Sequence, residues 1–367
     1  MEMKKNICSK LFLTGALAVA SFLPTMAAQT SLNGMTQSDE GDEDLRGPVK
    51  IEIQTRIDYQ REYLKDEPID DNCGFKGKYF MLNMNGNITN RLSFSFRHRI
   101  NQIKSNAAFF DGTDLLNLKY RFNRKWDITA GKMGLAIGSY EYERNPIEIY
   151  LPSEFWNFIP CFKFGVAAGY NLNENNRFVA QITESPFRKK GTDYYGYSLG
   201  WYGNNGWFNT IYSANALEYE QGKFMYYIGL AHQILVGKMR LELDFLNRSC
   251  DKHAFFFKDY SLIGELSYYP NENWRVFSKV SHNRNDSGVM ADETMYPGTD
   301  ITQVGGGVEF YPISSMRNLR MHAGYFHAFG KNGNPNGALK ADENFMTVGV
   351  QWNMDLVKLA KEIWNRK

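Results

Sequence analysis

The 367-residue sequence is short of the features that mark most soluble enzymes and regulators. It holds four cysteines, and their spacing fits no zinc pattern. It has no H-E-x-x-H pair and no phosphate-cradling P-loop. Its six histidines, His98, His232, His253, His282, His322 and His327, show no metal-ligand spacing to a cysteine or to one another, so no metal or cofactor is expected. After the first 28 residues no stretch reaches the ~18 apolar residues that a membrane-spanning helix needs. Charge is nearly balanced at +2, which argues against nucleic acid as a partner.

The beginning of the chain reads as a secretory signal peptide over residues 1–28. Lys4, Lys5 and Lys10 form a basic region, Leu11 to Leu23 an apolar one, and Ala27 and Ala28 a small-residue cleavage site. Cleavage would bring the formal charge to about zero. It would leave Cys73, Cys161 and Cys250, which allow at most one disulfide and a spare thiol. Residues 29–47 are polar and acidic and read as a disordered periplasmic lead.

Aromatic residues are plentiful at 15%, yet mean hydropathy is −0.46. Strands with one apolar and one wet face give that combination. Period-2 alternation runs through Lys50–Tyr59, Arg91–Ile100, Asn117–Phe122, Met239–Phe245 and Met346–Trp352. About sixteen such runs begin near Lys50, Phe75, Arg91, Asp114, Lys125, Phe162, Arg177, Tyr194, Trp207, Lys223, Lys238, Asp259, Trp274, Thr302, Leu319 and Phe345. A soluble sandwich would alternate too. The connections discriminate, because tight Asn/Gly/Pro turns alternate with longer loops, Glu218–Gly222 among the latter. That asymmetry predicts an all-β chain: a transmembrane antiparallel β-barrel of about sixteen strands over residues 48–354 in the outer membrane of a Gram-negative cell.

The last strand carries Thr347, Gly349, Trp352 and Met354 in the order polar, glycine, aromatic, hydrophobic, similar to the terminal-strand signal read by the barrel assembly machinery. Residues 355–367 then predict a short amphipathic C-terminal helix capped by Asp355, with Leu356, Leu359, Ala360 and Ile363 on one face. Barrels commonly finish on the strand itself. This helix therefore packs beneath the barrel or lies in the periplasmic leaflet.

Parity assigns Lys50, Arg56, Arg97, Arg99, Lys119, Arg121, Lys163, Arg177, Arg240, Arg248, Arg275, Lys279 and Arg320 to the lumen. Glu52, Asp58, Asp127, Glu242, Asp244, Glu265 and Glu309 are the acids on that face. Arg97, Arg99, Lys119 and Arg121 lie on consecutive strands and make either one anion-steering basic track or a salt-bridged wall. The segment Gly138–Pro160, with Tyr140, Glu141, Arg144, Glu148 and Trp156, has the bulk of a loop folded into the pore as a constriction, or else of one folded over the outer rim. Its net negative charge works against strong anion selectivity. Acidic residues in Leu64–Gly74 and Arg284–Asp300 suit divalent bridging to lipopolysaccharide, or plain solvation.

One G-x-S-x-G match, Gly196–Gly200, falls inside an alternating run and not at a strand-to-helix turn, so Ser198 reads as a small lumen residue and no catalytic residue is assigned.

Trp126-Asp127-Ile128-Thr129-Ala130-Gly131-Lys132, followed by the long loop after the fifth strand, resembles the phosphate-selective porin O and P group in its Bacteroidetes-like members. The resemblance implies a sixteen-stranded, trimeric outer-membrane porin that passes small polar or anionic solutes. A structural or adhesive barrel with a plugged lumen and a barrel enzyme of the lipase or protease class are the alternatives.

Overall fold

The computed structural model describes residues 49–102, 109–189, 191–250, 256–313 and 317–365. The signal peptide and the acidic lead lie outside these residues. Sixteen long strands form one antiparallel sheet: β1 (Lys50–Leu64), β2 (Gly74–Asn87), β3 (Leu92–Arg99), β4 (Thr113–Arg121), β5 (Trp126–Gly134), β6 (Phe162–Asn173), β7 (Asn176–Glu184), β8 (Tyr195–Asn204), β9 (Phe208–Glu220), β10 (Lys223–Val236), β11 (Met239–Cys250), β12 (Asp259–Asn271), β13 (Trp274–Asn285), β14 (Thr299–Phe310), β15 (Leu319–Lys331) and β16 (Glu343–Asp355). Each pairs with the next, and β1 pairs with β16 from Glu52↔Asp355 to Leu64↔Glu343. The sheet therefore closes, and its edge groups are satisfied without a partner.

The faces are inverted relative to a soluble sandwich. Phe75 is 82% exposed while Arg56 is 1% exposed. Along β8 the exposed positions are Tyr195, Tyr197 and Leu199, and the buried ones are Gly196, Ser198 and Gly200. Apolar side chains point outward because hydrocarbon surrounds them, and polar ones point to the lumen.

Connections between β2–β3, β4–β5, β6–β7, β8–β9, β10–β11 and β12–β13 are tight; this is the turn end, where β1 starts and β16 stops. At the opposite, loop end the connections are long, with one exception. The segment expected as a loop at Glu218–Gly222 is a two-residue turn, because β9 and β10 pair out to Glu220↔Lys223 through a bulge. The C-terminal helix α3 (Leu356–Asn365) follows β16 directly, and Asp355 Oδ1 accepts the Lys358 amide at 2.9 Å. Two short helices, α1 (Tyr140–Glu143) and α2 (Glu154–Phe158), sit in the connection 135–161.

Candidate pore and constriction

The connection 135–161 leaves β5 and folds into the barrel. Gly138, at φ +80°, turns the chain inward, and Ser213 Oγ donates to Ile137 O there. A side chain at Gly229 would meet the carbonyls of Ile137 and Gly138, so glycine lets the loop backbone lie flat on β10. Asp244 on β11 then receives Ser139 Oγ at 2.7 Å, the Tyr140 amide at 2.9 Å and the Glu141 amide at 3.0 Å. One wall carboxylate thus satisfies orphan donors at the start of α1.

From there the loop crosses the lumen. Arg144 donates to Glu242 on β11 and, at 2.6 Å, to Glu265 on β12. Arg56 on β1 donates to Ile147 O at 3.1 Å and Ile149 O at 2.8 Å while paired with Asp58 at 2.7 Å. Tyr150 donates to Glu309 at 2.8 Å; Glu309 also takes Arg275 at 2.7 Å and Arg320 at 3.3 Å. Lys279 reaches Glu141 and Leu151 O. Glu154 accepts the Leu339 amide at 2.8 Å. Tyr142, Phe155 and Ile159 pack with Leu217, Met225, Tyr227 and Leu246 in an apolar cluster inside the barrel. Burial pushes Glu143, beside Tyr202, up to about 7, and the Cys161 thiol up to about 12.

Register places every residue of the expected lumen set on the lumen face. The structure divides that set by its work. Arg56, Arg275, Lys279 and Arg320 are 1–7% accessible; Arg56 and Lys279 grip the loop, and Arg275 and Arg320 hold the wall carboxylates that Arg144 and Tyr150 of the loop bind; Arg240, at 11% and 3.4 Å from Glu242, lies between the groups. On β3–β7 the side chains stay open to the lumen, from 13% for Arg97 to 31% for Lys119.

The four residues expected to make either one basic track or a salt-bridged wall lie in two ion-paired tiers. Arg97 and Arg99 both pair with Asp114 at 2.9 Å, with Lys163 on the same wall. Nearer the turn end, Arg177 pairs with Asp127 at 2.7 Å and Lys119 lies 3.8 Å from it, with Arg121 opposite Asp127 in register. Parity alone places Asp114 outward. A register shift at Arg97/His98 turns it into the lumen.

Of the constriction residues, Tyr140 and Glu141 are buried in these contacts, Arg144 is clamped, and Glu148 and Trp156 are partly open. Ser198 is buried on the lumen face of β8, opposite Asn215 and Gln181, with no histidine or cysteine paired to it. Among the described residues, Cys73 and Cys161 carry thiols in no disulfide.

In the terminal strand, Trp352 and Met354 point outward, while Thr347 and Gly349 face the lumen. A side chain at Gly349 would press on Asp58, Ile57 O and His322. Gly349→Ala is expected to lower barrel stability by about 1–3 kcal/mol, read as an earlier denaturant midpoint for the heat-modifiable form. An unchanged midpoint would show that the strands separate without strain.

No curated protein matches the chain by sequence. The family model described as phosphate-selective porin O and P matches residues 49–202. Among solved structures, an anion-selective porin from Comamonas acidovorans aligns with TM-score 0.60 at 10% identity, over 83% of this chain and 99% of that one. OmpT, an outer-membrane protein of Vibrio cholerae, aligns with TM-score 0.57 at 10% identity, over 83% and 97%. Its in-vitro folded trimer form gives 0.56 at 12% identity, over 83% and 99%. The chain is therefore an outer-membrane β-barrel of the porin fold, and its residues 49–202 match the model of the phosphate-selective porin O and P family.

Proposed function

We propose that the protein passes small polar solutes by passive diffusion, with a weak preference for anions. One observation carries this reading. On the lumen face of β3–β7, Arg97, Arg99, Lys119, Arg121, Lys163 and Arg177 outnumber the two carboxylates that these strands place on the same face among the described residues, Asp114 and Asp127. Low-dielectric walls focus that excess, so anions are enriched near it. The inserted loop, with the partly open Glu148, tempers the preference.

Purified protein in planar bilayers is expected to give ohmic channels whose reversal potential in a salt gradient lies on the anion side. The offset should shrink as ionic strength rises from about 0.1 M to about 1 M, where the Debye length falls from ~10 Å to ~3 Å. A silent bilayer would favour a plugged structural barrel.

The same reading includes a homotrimer, insertion by the barrel assembly machinery, and lipopolysaccharide around the long loops. It also orients the barrel, since long loops face outward and tight turns face the periplasm in this class. In a cysteine-free background, Met290→Cys in the loop 286–298 should label on intact cells with an impermeant maleimide, and Asn205→Cys should not. The reverse result would invert the barrel.

A further inference from the structure

Helix α3 leaves the barrel at the turn end, directly after the outward-facing Trp352 and Met354 of β16. It lies beside the first residues of β1 and the end of β16. Helical spacing puts Leu359, Ala360, Ile363 and Trp364 on one side and Lys358, Lys361 and Glu362 on the other. Leu356 and Val357, next to the barrel, are half-buried, but Leu359, Ile363 and Trp364 are exposed, Trp364 to 77%. The apolar side is thus uncovered, and it continues a surface that is already apolar. Val49 at the start of β1, Met321 and Met354 are exposed outward beside it, and the ring pairs Trp274–Phe310 and Trp126–Tyr170 stand at this same end, as aromatic girdles do at headgroup level.

We propose that α3 is a membrane-interface anchor. Its apolar side enters the periplasmic leaflet of the outer membrane, and Lys358 and Lys361 bind the phosphates of anionic phospholipid headgroups. Two observations choose lipid over a protein partner. The exposed face is continuous with the lipid-facing belt, so one surface carries both. Cations lie on the side away from the apolar residues, and a tryptophan closes the apolar side, the arrangement of helices that lie in the headgroup boundary. The polar side carries two lysines against one glutamate, and the sequence continues with Arg366 and Lys367, so attraction to an anionic surface adds to apolar burial. A helix of ten residues is ~15 Å long, too short to span and long enough to lie flat along the rim.

The test uses the mature protein folded into vesicles of phosphatidylethanolamine and phosphatidylglycerol, compared with its Trp364→Phe variant. The emission lost in that variant is the signal of Trp364. It is expected to be quenched by lipids brominated near the headgroup end of the acyl chain and protected from aqueous acrylamide. Quenching by acrylamide alone would place the helix in water. Protection from both quenchers would mean that protein covers the face, whether the acidic lead or a second copy. Either result overturns the proposal. In a second arm, Lys358→Glu with Lys361→Glu should weaken the bromolipid quenching of Trp364 in these vesicles while heat-modifiable migration stays intact. Equal quenching with and without the lysines would overturn the headgroup contact.

Discussion

Replacing Arg97, Arg99, Lys119 and Arg121 together by glutamine is expected to abolish the anion preference at low salt and to move the reversal potential to zero or slightly to the cation side. The wall then holds Lys163 and Arg177 against Asp114 and Asp127. Asp127 keeps its Arg177 pair, whereas Asp114 loses both arginines. A one-signed cleft enriches counter-ions by roughly 10–10³-fold, and the carboxylates already present hold this wall to the low end of that range. The four residues are partly exposed to the lumen, so water can hydrate the change and the barrel should still migrate as a folded species. An unchanged reversal potential would mean that these residues only keep the wall wet, and the anion reading would fall with it.

Arg144→Met is expected to unsettle the constriction while leaving the barrel closed. Arg144 is the counter-charge that Glu242 and Glu265 share across β11 and β12. Breaking such a buried arrangement by removing one partner costs about 3–5 kcal/mol, because the carboxylates are left uncompensated. Arg240 and Arg275 still reach one carboxylate each, so the lower end of that range applies. The strain falls on the loop, because the ladders of sixteen paired strands do not depend on it. Single-channel records should show larger open-state current fluctuations and a higher mean conductance. Asp244→Asn should do the same more weakly, since an amide oxygen still accepts some of the three hydrogen bonds from Ser139, Tyr140 and Glu141. Quiet channels of parental conductance from Arg144→Met would show that the remaining grips of Arg56, Lys279 and Glu154 hold the loop by themselves.

The glycine at 349 shows how a sequence motif and a structural role diverge. As a pattern, Thr347, Gly349, Trp352 and Met354 read as one assembly signal. In the barrel they lie on two faces, and Gly349 is small because Asp58 and His322 approach it from neighbouring strands. Asp114 shows the opposite failure. Nothing in its alternation marks it as a lumen residue, because a bulge is a local register defect that parity cannot register.

What the sequence determined by itself was periodic. Alternation over each run set the strands to within three residues at their starts, and the side-chain period of two set which residues face the lumen, except at the bulge that turns Asp114 inward. The spacing of tight turns and long loops set the closed, even-stranded barrel, and a local capping signal set the helix after Asp355. Only the tertiary structure decided which lumen residues remain open. Arg56, Arg275 and Arg97 are equivalent in pattern, yet Arg56 bonds loop carbonyls 91 and 93 residues away in the chain, Arg275 is held by the wall carboxylates Glu265 and Glu309 that the loop also binds, and Arg97 does neither. That choice depends on where the segment 135–161 lands once the barrel closes. It is fixed by Asp244, Glu242, Glu265 and Lys279, whose meeting with the loop is a matter of distance across the lumen and leaves no period in the sequence.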